Sequence, residues 1–159
     1  MSFMANAPKR SDTSVDAIEN DGWFPDIDVS VLRDATRFDG TVTDARLAVS
    51  VVDAMLTVNL ALDDWKRHQI AKGYGDLAEV PAGTINKQSQ HVAHYLRAVY
   101  SMTKADLIEK YRDYDSTASS QSDKKQMEWL DTAPDLERRN AQWAISNIIG
   151  RSHMTVELI

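Results

Sequence analysis

Residues 44–72 constrain this chain more than any other stretch. Leu47, Val51, Met55, Val58, Leu62 and Trp65 follow one another at spacings of four, four, three, four and three. At 3.6 residues per turn that pattern puts all six on one face of a helix. Thr43 stands at the N-cap, Asp44 suits the positive end of the helix dipole, and Gly73 supplies a C-terminal stop. A helix of this length is about 43 Å long. The fold must therefore be built around a rod with a wide apolar face, covered by other long elements. Leu60 and Ala61 are apolar off the main stripe and hint at a second buried surface, whereas Asp63 and Arg67 form an i,i+4 pair on the opposite face.

Two more long helical patterns follow. One starts near Thr84 to Asn86 and runs to about Arg112, with Val92, Leu96, Val99, Met102, Leu107 and Tyr111 as its stripe and Asp106–Lys110 as a surface pair. The other spans about 124–149 and is expected to be interrupted or restarted at Pro134, which is best tolerated in a first turn. Leu136, Trp143 and Ile148 trace one of its faces; Ala141, Ile145 and Ile149 trace a second. A helix apolar on two faces is buried on two sides, so the second is either a subunit interface or part of the chain's own core. Asp28 is placed to cap a short helix over 29–37, stopped by Asp39-Gly40, and the connector 73–84 carries Leu77, Val80 and Pro81 to pack against the helices. The polar run 115–123 reads as a loop. The expected fold is all-α: a bundle of about three long helices plus a short one, as a single domain over 22–150.

The two ends differ from this bundle. Residues 1–21 are small and polar with charges of both signs, as in a disordered arm. Trp23 and Phe24, before a proline that favours extended backbone, form an anchor for a groove in this subunit or in a neighbour. At the other end, within 151–159, Met154, Val156 and Leu158 alternate with Thr155 and Glu157, and Ile159 follows. That period of two is a strand signal. With no sheet legible upstream, such a strand invites pairing with another chain, its apolar side chains filling pockets there.

Composition narrows the classes further. There are no cysteines, which excludes disulfides and thiolate metal sites. No apolar leader or uninterrupted apolar run of membrane-spanning length is legible, so no membrane is expected. The net charge of −6 disfavours a grip on phosphate backbones, yet suits a surface past which DNA slides. His91 and His94 lie three apart on a helix but lack an evident third ligand, so no metal is expected. Asp113-x-Asp115-x-Thr117 begins like a calcium loop but has Ala118 and Lys124 where Gly and Glu are needed. Gly73-Tyr74-Gly75 lacks the third glycine of a dinucleotide loop, and Asp63-Asp64 reads as a solvated face. No catalytic residue and no cofactor are expected.

Several stretches, in order, carry a resemblance. They are Trp23-Phe24-Pro25-Asp26-Ile27-Asp28, Thr43-Asp44-Ala45-Arg46-Leu47, Leu77-Ala78-Glu79-Val80-Pro81-Ala82, Tyr111-Arg112-Asp113-Tyr114-Asp115-Ser116, and Ile148-Ile149-Gly150-Arg151-Ser152-His153 running into Val156-Glu157-Leu158-Ile159. Together they resemble the phage head completion family (GPL) of peduovirus-type tailed phages, over about residues 22–159. The resemblance implies a virion protein of the head–tail junction, present in the host cytoplasm during assembly. It implies an adaptor ring beneath the portal protein, of twelve subunits as in related connectors, that meets tail-side neck or tail terminator proteins and lets DNA pass without reading its sequence. Residues 152–159 are then expected to add a strand to a sheet of the portal or of another neck subunit. The alternative is a cytoplasmic helical regulator that binds DNA or a protein partner, and against its DNA-binding form stand the acidic balance and the absence of a basic recognition helix.

Overall fold

The computed structural model of the chain describes residues 17–36, 42–115 and 124–152, and the side chains of these stretches except between 112 and 132. In chain order they form β1 (Ala17–Ile18), β2 (Ile27–Asp28), α1 (Val29–Thr36), α2 (Asp44–Ala71), a single 3-10 turn (Leu77–Glu79), β3 (Thr84–Ile85), β4 (Gln88–Ser89), α3 (Gln90–Asp115) and α4 (Lys124–Ile149). The fold is mainly α, with two antiparallel ribbons, β1 with β2 and β3 with β4.

The long helix α2 begins and ends where its caps require. The Thr43 hydroxyl accepts from the Arg46 N–H. At the far end Gly73 takes φ +99°, and the N–H groups of Gly73 and Tyr74 bond back to the carbonyls of Ile70 and Gln69. This left-handed closure is one a side chain would strain. Leu47, Val51, Met55, Val58 and Leu62 are buried, and Trp65 is packed at the edge of the core. The expected stripe is the inner face of α2.

Helix α3 is the central rod: it packs along α4 over much of its length and against α2, while α2 and α4 touch less. Its deepest residues are Tyr95, Ala98, Val99, Thr103, Ala105 and Leu107. Small side chains there, together with buried Ala141 and Ala144 of α4, let helices approach closely.

Three expectations need correction. Thr84 and Ile85 do not open α3; they pair with Ser89 and Gln88 across a two-residue turn whose Asn86 and Lys87 both have positive φ, 50° and 62°. That geometry matches the twist of a tight hairpin, and α3 starts only at Gln90. Pro134 neither interrupts nor restarts a helix; it lies buried inside a continuous α4. Proline there removes one main-chain bond. Just beyond it, Lys104–Glu137 at 2.9 Å and the two-pronged Arg138–Glu109 pair hold α4 on α3. Leu136 is largely exposed rather than part of the buried face, which consists of Ala141, Ala144, Ile145 and Ile148.

Candidate functional site: the assembly surfaces

The segment before α1 is a strap across one end of the bundle. Ala17 and Ile18 pair with Asp28 and Ile27, so residues 17–21, expected in the arm, belong to the fold; residues 1–16 lie outside those described. The Asp21 carboxylate accepts from the N–H groups of Trp23 and Phe24 and pairs with Lys66 of α2 at 2.5 Å. Burial opposes its charge, but the Lys66 ammonium and the two N–H donors outweigh it and hold the pKa below the usual carboxylate range. Asn20 donates to the Tyr95 hydroxyl at 2.8 Å, Tyr95 donates to Asn59 at 2.6 Å, and Asn59 donates back to Asn20 at 2.9 Å. This closed triangle joins the strap, α3 and α2. Burial drives the Tyr95 pKa well above that of a free phenol, so the hydroxyl stays a neutral donor.

Trp23 and Phe24 fill a groove of their own subunit. Both are buried; Phe24 stacks on Tyr95 at 4.7 Å, and the Trp23 indole N–H donates to the Tyr74 carbonyl at 3.2 Å. Of the two grooves left open by the sequence, the structure thus shows the internal one. It does the same for the second face of α4. Ala141 and Ile145 are buried, and Ile149, partly buried, packs against the same core.

Among the described residues, the outer face of α2 carries an apolar stripe that remains uncovered. Val49 is 59% exposed, Val52 42%, Leu56 64% and Leu60 79%. By length and composition alone α2 is the one described helix apolar enough to cross a membrane. Its inner stripe and this outer one share in that apolarity. At the N-terminal end of α2 the surface deepens into an apolar hollow of about 470 Å³ between α2 and α3, lined by Ala45, Val49, Leu107 and Tyr111, with Arg46, Ser50 and Lys110 among its polar lining. Sequence reasoning flagged only Leu60 and Ala61; the available signal was the spacing of Val49, Val52, Leu56 and Leu60 by three, four and four.

The candidate docking residues Met154, Val156, Leu158 and Ile159 lie outside the described residues. α4 closes just before them: Gly150 takes φ +80°, and the Arg151 N–H bonds to the Ser146 carbonyl at 2.9 Å, turning the chain off the helix axis. His91 sits edge-on to Trp65 at 5.3 Å, and burial lowers its pKa, so the imidazole is mainly neutral. Among the described residues no group of three or more His, Asp or Glu side chains is placed to hold a metal. Asp63–Arg67 at 2.5 Å and Asp106–Lys110 at 2.7 Å form the expected surface pairs.

A mainly helical fold held by an internal aromatic strap, with an apolar outer face, is the context for comparison with known proteins. The model of the family "Phage head completion protein (GPL)" matches residues 18–159. A "Head completion/stabilization protein" of Escherichia phage P2 is 37% identical over 142 residues, covering 89% of this chain and 82% of that protein. No solved structure matches. The matched region takes in the strap, all four helices and the segment beyond α4, and on that extent the chain belongs to the phage head completion (GPL) family.

Proposed function

We propose that this chain is a structural, non-enzymatic component of the phage virion that completes the DNA-filled head. It forms an adaptor ring between the portal protein and the tail-side neck proteins. Membership of the head completion family carries this reading. The uncovered face of α2 supports it, because an apolar stripe of this kind marks a surface that meets another protein. A ring of identical copies, twelve in this reading, is the closed form such an adaptor takes around a portal axis. Acidic and neutral side chains face its lumen, since a chain of net charge −6 gives duplex DNA little to adhere to. Residues 152–159 carry the attachment to a further chain of the neck, with Met154, Val156 and Leu158 as anchors.

The test is completion of heads in vitro. Packaged heads from the parent phage with this gene disrupted should leak DNA and fail to accept tails until the purified chain is added. Native mass measurement of the bound protein should then give a ring. Heads that retain DNA and join tails equally well without the chain would overturn the reading, as would a stable dimer that shifts a DNA probe.

A further inference from the structure

We propose that the outer stripe of α2 receives residues 153–159 of a neighbouring copy of this chain, laid extended and antiparallel to α2, and that this contact links the copies into a ring. The inference rests on the ring reading above and deepens it by naming the receiver of the tail.

Spacing is the first argument. Along α2, Leu60, Leu56, Val52 and Val49 are separated by about 6, 6 and 4.5 Å at 1.5 Å per residue. An extended segment carries Met154, Val156 and Leu158 on one side, about 6.6 Å apart. The tail's apolar side chains therefore keep step with the stripe from Leu60 to Val52.

Charge fixes the direction. Exposed Asp64 continues the stripe one turn beyond Leu60, whereas at the other end Lys110 of the hollow is already paired with Asp106 and Asp53. The tail is basic where it begins, at Arg151 and His153, and acidic near its close, at Glu157. Running antiparallel to α2, it sets Arg151, which precedes the extended segment, towards Asp64. The opposite direction would carry Arg151 away from Asp64.

Height is the third argument. Arg138 of α4 pairs with Glu109 of α3, so the end of α4 lies near the Tyr95 turn of α3. Asn59 of α2, next to Leu60, bonds that same Tyr95. Tail and stripe thus begin at one level of the bundle. A contact between parallel neighbours then steps sideways without a rise, the condition for closure rather than an open helix.

The chain has no cysteine, which makes the test clean. A full-length Leu56→Cys/Val156→Cys variant is loaded onto heads and oxidised. The expected result is a ladder of covalently linked copies on a non-reducing gel, absent from either single variant. A double variant that consumes both thiols yet stays at single-chain mass would mean that the tail folds onto its own α2 and would overturn the proposal. Two free thiols in assembled heads would also overturn it, while leaving the function reading intact. Should the cysteine variant not assemble, Asp64→Arg is expected to weaken ring formation at least tenfold, with Arg151→Asp in the same chain restoring it. Equal ring yield for Asp64→Arg alone, or no rescue, would reject the proposal. If the unsubstituted chain never enters completed heads, it is the function reading that fails.

Discussion

The strap and the outer face of α2 are built from similar apolar content yet use it in opposite ways. In the strap, Trp23 and Phe24 are buried against Trp65, Tyr74 and Tyr95, and the strap's own polar side chains are paired: Asp21 with Lys66, Asn20 with Tyr95 and Asn59. On α2, Leu56 and Leu60 face outward. Apolar area that is removed from water within the subunit contributes to folding stability. Apolar area left uncovered contributes nothing until another surface meets it. One region therefore stabilises the monomer, and the other, in the reading proposed above, is held for assembly.

Substitutions can break or sharpen this contrast. The largest effect is expected from Phe24→Ala, which empties the stack on Tyr95. A loss of about 3–5 kcal/mol is typical of a buried phenylalanine, read as a lower denaturant midpoint. A loss below about 1 kcal/mol would show that the strap is a peripheral attachment. Tyr95→Phe should cost about 1–3 kcal/mol, because it leaves Asn20 and Asn59 to satisfy each other without the hydroxyl.

Acid should act on the strap and on the α3–α4 seam in the same direction. Asp21 is held below the ordinary carboxylate range by Lys66 and main-chain donors against the cost of burial. Glu137 is likewise held low, chiefly by Lys104 against burial. A depressed folded-state pKa stabilises the fold above the unfolded value, about 4. That contribution falls away as pH drops through the lower folded value. Melting temperature should therefore decline below about pH 4, less steeply in Asp21→Asn than in the parent. The smallest stability effect is expected from Leu60→Ser. At an exposed position the change in folding free energy should stay within about 0.5 kcal/mol, while incorporation into heads falls sharply. A destabilised Leu60→Ser monomer would place Leu60 in the core economy after all and weaken the contrast.

Much of this division was legible in the sequence, and the exceptions have physical causes. The inner stripe of α2, Thr43, Asp28 and Gly73 could be read because each depends on residues within a few positions. The outer stripe has the same helical period as the inner one, so sequence alone could not say that only one of them is covered. The β3–β4 ribbon escaped notice because two residues per strand cannot show alternation, and its turn uses Asn86-Lys87 without a glycine. Pro134 misled because the ties at Glu137 and Arg138 that keep α4 continuous come from α3. Polar residues such as Asn20 gave no local sign of partners 39 and 75 positions away.

Those separations bear on how the molecule is made. Contacts that close long stretches of chain form late, because the loop entropy must be surrendered before the contact rewards it. The Asn20–Tyr95–Asn59 triangle spans 36, 39 and 75 positions. The paired α3 and α4, adjacent in sequence, face no such delay. The strap should accordingly be the last element to settle on a newly synthesised chain and the first to lift. Amide exchange should show strap protons swapping with solvent at lower opening free energy than those of central α3. Equal protection in both would mean that the subunit opens as a single unit.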